Sequence, residues 1–355
     1  MRYLNYLLIL IPIAALADLL HADPVVVFLL SALAIVPLAG VLGKATEELA
    51  VYAGSKAGGF LNATFGNAAE LIITLAAVRA GLLEVVKASI TGSILGNLLL
   101  VLGFSMLLGG VKNGIQRFDR LEAGNSSAML ALAVIGLGVP AVFSHTIDLV
   151  RHDAIEWLSI GVAVVLILLY FLSLIFSFSS AGHGGRGSIM PGDEILATRA
   201  EWSKQKALAI LVGATLLVVL MSEILVGSIE ASIKTLGLTE FFVGVIIVPI
   251  IGNVAEHLVA VQTAIKNKMD LSMGVAVGSS MQIALFVAPF LVFASIVLGH
   301  PMTLIFNQFE LITLGAAVAI SALISLDGRS HWLEGVQLLA VYVIIALAFF
   351  FLPAV

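Results

Sequence analysis

Gly66-Asn67-Ala68-Ala69-Glu70 stands near the start of an apolar run that continues through Leu71, Ile72, Ile73, Leu75 and Val78. A carboxylate near the centre of a bilayer costs about 2.5–3.5 kcal/mol on insertion scales, so such a residue marks an ion path, a substrate site or a proton relay. The chain does this twice. Gly252-Asn253-Val254-Ala255-Glu256 repeats the pattern 186 positions later, once in each half of the sequence. One intramembrane Glu is a hint; a duplicated one in duplicated surroundings argues for two related halves.

Working outward, the whole composition agrees with a membrane setting. Of the 355 residues, 61% are hydrophobic and 11% charged, and the mean hydropathy is +1.15. Soluble globular chains do not have this balance. Apolar runs of about 20 residues, enough to cross ~30 Å of hydrocarbon, recur from end to end. A β-barrel would instead alternate polar and apolar over short strands. The expected fold is an all-α integral membrane protein. Cysteine is absent, which excludes disulfides and thiolate metal sites. A net charge of −5 gives no reason to expect a nucleic-acid partner. The first run, 3–20, has one Arg before it and no clear small-residue cleavage site, so it reads as a retained helix.

Polar punctuation divides the chain into eleven spans, near 3–20, 25–53, 59–80, 84–110, 124–144, 155–180, 204–236, 240–266, 270–299, 304–326 and 331–353. The domain reading is an extra helix (1–24), a first five-helix repeat (25–180), a linker loop (181–203) and a second five-helix repeat (204–355). Five is odd, so the second set starts on the opposite side of the membrane, which makes the repeat inverted. Gly92-Ser93 and Gly278-Ser279 share the offset of 186, and Ala45-Thr46-Glu47 resembles Met221-Ser222-Glu223. With the N-terminus inside, the inner loops receive Arg2, Lys56, Lys112, Arg117, Arg120, Arg186, Arg199, Lys204, Lys206, Lys266, Lys268 and Arg329. Outside lie only Arg79, Lys87, Arg151 and Lys234. That asymmetry predicts a cytoplasmic N-terminus, a C-terminus outside and, in a prokaryote, the cell membrane. The linker is rich in Gly and Ser; its acids, Asp193, Glu194 and Glu201, have no ligand spacing and read as a solvated loop.

The chemistry follows from donor types. In each Glu motif, Gly lets the helix bend or unwind, or lets another backbone approach closely. Asn67 and Glu70, like Asn253 and Glu256, are three apart and share one helical face. Together they offer carboxylates, amide oxygens and freed carbonyls. An oxygen-rich, thiolate-free cage with two negative charges suits a hard divalent cation, Ca²⁺ above all, with Mn²⁺ and Mg²⁺ left open. Ser93 with Asn97, and Ser279 with Gln282, add hydroxyls and amides at helical spacing; tight packing of small residues is the competing reading. His257 is a candidate proton partner or an interior hydrogen-bonded residue. Glu47 and Glu223, in the first helix of each repeat, are candidates for a gate or access path. Glu48 reads as near the water interface and Lys44 as a packing or interfacial residue.

These motifs together resemble the signature repeats of the cation/proton exchangers, the CAX branch of the calcium/cation antiporter superfamily. The resemblance rests on 62–70 (Asn-Ala-Thr-Phe-Gly-Asn-Ala-Ala-Glu), 92–97 (Gly-Ser-Ile-Leu-Gly-Asn), 252–257 (Gly-Asn-Val-Ala-Glu-His) and 278–282 (Gly-Ser-Ser-Met-Gln), and spans essentially the whole chain. It implies eleven transmembrane helices in two inverted repeats after one extra helix. It implies exchange of Ca²⁺ for H⁺, with Glu70 and Glu256 holding cation and protons in turn. Asn67, Ser93, Asn97, Asn253, His257, Ser279 and Gln282 match the family motif as well. Ca²⁺ and H⁺ would be transported substrates, with no cofactor and no enzymatic activity. Some relatives are trimers; the sequence leaves a homo-oligomer open. The linker departs from the strongly acidic mid-chain segment common in the family, which weighs against a regulatory role for it. A sodium-coupled calcium exchanger of the same superfamily is the alternative. Two central carboxylates without further acids favour proton exchange, because one Ca²⁺ or two H⁺ both neutralise them. A membrane enzyme lacks its motif here, with no HExxH and no DDxxD cluster, and a channel would not need an inverted repeat around a charged pair.

Overall fold

The computed structural model describes residues 4–147, 152–180 and 200–352. Asp193, Glu194, Arg2, Arg151, Arg186, Arg199 and the C-terminal Val355, used above, lie outside the described residues. The chain is helical almost throughout. A 3₁₀ turn, Leu4–Ile9, leads into α1 (Leu10–Leu19). There follow α2 (Pro24–Phe65), α3 (Ala68–Arg79), α4 (Leu83–Leu95), α5 (Leu102–Asn113), α6 (Arg120–Ile147) and α7 (His152–Ser180). The second half holds α8 (Lys204–Leu236), the short α9 (Glu240–Phe242), α10 (Val248–Ile265), α11 (Met269–Gln282), α12 (Ala288–Val297), α13 (Gln308–Ile324) and α14 (Trp332–Phe351). Two residues each of β1 (Gln116–Arg117) and β2 (Arg329–Ser330) pair antiparallel. Among the described residues nine helices are long and apolar enough to cross a membrane, and Asn5–Leu19 is a shorter apolar one.

The remaining span of the eleven is the one read as 59–80, and it is not one helix. Gly54 breaks α2 with φ +81°, and the stretch 55–65 then stops at a turn through Gly66 and Asn67 before α3 begins. A positive φ of this kind is open to glycine at little cost. The corresponding second-half segment, α9 to α10, is not interrupted in this way. It carries a π-helical turn at Val243–Ile247 instead. Further π turns, Gly96–Val101 and Ile283–Val287, follow α4 and α11 at matching places in the two halves. Single π turns inside helices recur at functional sites because they re-aim side chains and leave backbone groups without their usual partners.

Two compact units are built from both halves of the sequence. The first comprises 1–89, 192–256 and 348–355, and the second 90–191 and 257–347. In the first, α2 and α8 pack along one another, with α1 and α3 against them. Helix starts there are locally encoded. Pro24 opens α2, and Ser203 caps α8 by accepting from Lys206 N at 3.3 Å. Gly244 lets the π turn press onto α4: a Cβ there would fall 2.5 Å from the Ala88 Cβ. In the second unit, α6, α7, α11, α12 and α13 surround two of the π turns. Tyr170 stacks on Phe286 with ring centroids 5.2 Å apart. Membrane helices have no hydrophobic drive toward one another, so close packing of this kind is what holds them.

Candidate cation site

The first unit brings the two Glu motifs into contact. The turn at Gly66 and Asn67 lets α3 start anew at Ala68, so Glu70 lies in the first turn of a helix, where the macrodipole favours negative charge. Glu70 is 0% exposed. Its Oε2 accepts a hydrogen bond from Asn253 Nδ2 at 3.1 Å, and its backbone carbonyl accepts from Thr74 Oγ1 at 2.8 Å. Gly252 makes that approach possible, because a Cβ at this position would stand 3.3 Å from the Glu70 Cβ. Asn67 and Asn253 are both buried. Glu256, one helical turn after Asn253 on α10, is half-buried. Each glycine therefore does a different job. The expected unwinding occurs at Gly66; at Gly252 the helix stays intact and the missing side chain admits Glu70.

Ser93, Asn97, Ser279 and Gln282 lie in the second unit, all buried. α11 packs on the π turn Gly96–Val101, so the helices carrying these two motifs meet. Asn97 Nδ2 and Gln282 Nε2 have no hydrogen-bond partner among the described residues. A buried donor left in that state costs about 1–3 kcal/mol, so each amide calls for a partner such as a water or an ion. His257 is half-buried on α10. No group of three or more His, Cys, Asp or Glu side chains is gathered among the described residues. Within the first unit the donor set is two carboxylates with two amides, oxygen and nitrogen groups of the kind that can face a hard cation.

The two access-path candidates differ. Glu47 is half-buried on α2. Glu223 is exposed on α8 and pairs with Arg79 at the end of α3, Nη1 to Oε1 3.1 Å. The pair is weak, since both side chains face outward from the protein (71% and 47% exposed). Glu223→Gln is expected to change the rate of transport about two- to fivefold, the scale of one screened ion pair, while leaving equilibrium Ca²⁺ binding intact. Titration of the purified variant by calorimetry, beside flux in vesicles, separates the two; lost binding would move Glu223 into the cage.

The end of the linker adds partners to α2. Glu48 is 7% exposed, and its Oε2 accepts from Trp202 N at 2.9 Å. Lys44 is 41% exposed, and its ammonium pairs with Glu201 Oε2 at 2.8 Å. Glu201 and Trp202 are thus tied to α2, and Glu201, 71% exposed, stays solvated while it pairs. Lys44 beside it, by its hydrogen bond first and its charge second, holds the Glu201 carboxyl below the usual carboxylate range. A lowered carboxyl of this kind stays ionised at neutral pH, and the pair is lost only as the pH falls through that lowered value. The buried Glu310, 1% exposed, was not legible as a site residue. It closes a capping box with Asn307 and accepts from Thr91 Oγ1 at 3.0 Å. The Asn307-x-x-Glu310 spacing is the signal that would have found the cap.

Two stretches of the chain, 24–179 and 206–351, match the family described as sodium/calcium exchanger protein. The chain belongs to this family. Relatives named for calcium and protons match nearly the whole chain. The chain is 48% identical over 364 residues to a Ca(2+)/H(+) antiporter of Aphanothece halophytica, covering 98% of this chain and 96% of the relative. It is 43% identical to the Ca(2+)/H(+) antiporter ChaA of Bacillus subtilis, covering 96% and 97%. Among solved structures, native YfkE superposes with a TM-score of 0.84 at 40% identity, covering 98% of this chain and 100% of that one. The H+/Ca2+ exchanger CAX superposes with a TM-score of 0.71 at 15% identity over 98% and 91%, which speaks for the fold alone. The membrane fold expected from the sequence is the fold of these family members, and the chain is a transporter by family.

Proposed function

We propose that this protein exchanges Ca²⁺ for H⁺ by alternating access, with Glu70 and Glu256 as the groups that carry cation or protons in turn. The observation that supports this most is the Asn253–Glu70 hydrogen bond over Gly252, which joins the two Glu motifs at a buried carboxylate. The names of the relatives agree with this assignment of ions. Asn67 and Asn253 orient the carboxylates and lend amide oxygens. Ser93, Asn97, Ser279 and Gln282 supply polar groups on the second unit, and His257 serves as a proton partner. The coupling is charge arithmetic. Two ionised carboxylates in a low-dielectric interior repel and are costly. One Ca²⁺ neutralises them, and so do two protons. Either neutral state crosses between the two facings, and the empty charged state does not.

The test is uptake of Ca²⁺ into proteoliposomes with one gradient at a time. A pH gradient is expected to drive it and a sodium gradient is not. Uptake driven by sodium and indifferent to pH would overturn the reading in favour of the sodium-coupled alternative.

The proposed organisation is the extra helix (1–24), two five-helix repeats (25–180 and 204–355) in opposite orientations, and the joining loop inside. The matched stretches 24–179 and 206–351 support this division. The chain has no cysteine, so a single introduced thiol reports its own side of the membrane. In right-side-out vesicles, Ser188→Cys is expected to resist an impermeant maleimide and His300→Cys to react. The reverse pattern would invert the assigned orientation.

A further inference from the structure

Trp202, at the end of the linker, is held from several sides by groups of the first unit. Glu48 accepts from its backbone N–H, and Tyr52 Oη donates to its carbonyl. The ammonium groups of Lys44 and Lys206 each lie 5.1 Å from the centroid of its indole ring. The neighbouring Glu201 pairs with Lys44. On α2, Lys44 stands three residues before Glu47 and four before Glu48, so all three share one face of the helix. A Lys with acids at both i+3 and i+4 would ordinarily pair with them along the helix. Here the linker takes both ends of that pair: Glu201 and the indole take the Lys44 ammonium, and the Trp202 amide takes Glu48.

We propose that the Glu201–Trp202 segment is a clasp that withholds Lys44 from Glu47, and that its release lets the ammonium neutralise Glu47 and slow transport. Closed, the clasp sustains transport; its release is the inhibiting event. The inference rests on Glu47 belonging to the access path. A cation path depends on negative charge, and an ammonium paired directly with Glu47 would cancel more of it than Lys44 does while Glu201 holds it. The contacts suit a device that opens. The Lys44 and Glu201 side chains are 41% and 71% exposed, so their attraction is screened and modest. Cation–π contacts at such sites are of similar strength.

The clasp predicts a rescue that a purely structural role does not. Glu201→Gln frees Lys44 and is expected to lower the maximal rate of pH-driven Ca²⁺ uptake about three- to tenfold, with equilibrium Ca²⁺ affinity unchanged. Lys44→Met added to Glu201→Gln removes the inhibiting ammonium, and the double variant should return to within about twofold of the wild-type rate. A double variant as slow as Glu201→Gln, or slower, overturns the proposal. In a Trp157→Phe, Trp332→Phe background, Trp202 is the sole indole. Its emission should shift in Glu201→Gln as the lysine leaves the ring, and an unchanged spectrum also counts against the clasp. Failure of the underlying reading shows differently: Glu47→Gln would then transport at the wild-type rate.

Discussion

In proteoliposomes, Glu70→Gln and Glu256→Gln should each abolish pH-driven Ca²⁺ uptake, with a fall of about a hundredfold or more, equivalent to ~2.7 kcal/mol on the transport barrier. Glutamine keeps the shape and the ability to accept from the Asn253 amide, which Glu70 uses at 3.1 Å. It removes one negative charge and one proton site. A single remaining carboxylate neither balances Ca²⁺ nor releases two protons when the cation arrives. Proton release on adding Ca²⁺ to detergent-solubilised protein should fall in parallel. The two variants need not be equal. Glu70 is fully buried and anchored to the other motif, whereas Glu256 is half-buried. Glu70→Gln is therefore expected to damage binding more, and Glu256→Gln coupling more. Transport with unchanged proton coupling in either variant would sink the mechanism.

The second large effect belongs to a residue with no chemistry of its own. Gly252→Val is expected to weaken Ca²⁺ binding by about ten- to hundredfold, the ~1–3 kcal/mol that overpacking a tight contact costs. A Cβ at 252 already stands 3.3 Å from the Glu70 Cβ and 3.8 Å from its Cγ, and the valine methyls reach further. Glu70 must then move off Asn253. Gly227→Ala on α8 is the matched control, because a Cβ there meets nothing within 4 Å. Calorimetric Ca²⁺ titration of the two purified variants, with thermal melting to check folding, distinguishes them. Equal affinities would mean that the Glu70–Asn253 contact contributes nothing to the site.

Much of this protein was legible in the sequence because a membrane makes the relevant contrasts large. Apolar runs sufficient to span hydrocarbon reveal helices, and Glu70 and Glu256 stand out because each is costly in its surroundings. The doubled motifs at one offset gave the expectation of two related halves, and the basic residues an expected orientation. Those signals are local, or are compared along the chain, and need no knowledge of what touches what.

The rest depended on contacts between distant segments. Gly66 and Gly252 sit in near-identical motifs, yet the helix breaks at one and stays whole at the other. A glycine permits both outcomes, and the neighbour that packs on it decides; for Gly252 that neighbour is Glu70, 182 positions away in the chain. The π turns after Ser93 and Gln282 carry no composition of their own, since they arise from how each helix fits its surroundings. Lys44 and Glu48 carry no sign in the sequence of Glu201 and Trp202, more than 150 positions away, which come to rest on them. A charge's role follows from its partner. Sequence shows which charges are costly to keep, and only the tertiary structure brings the partners that determine what each one does.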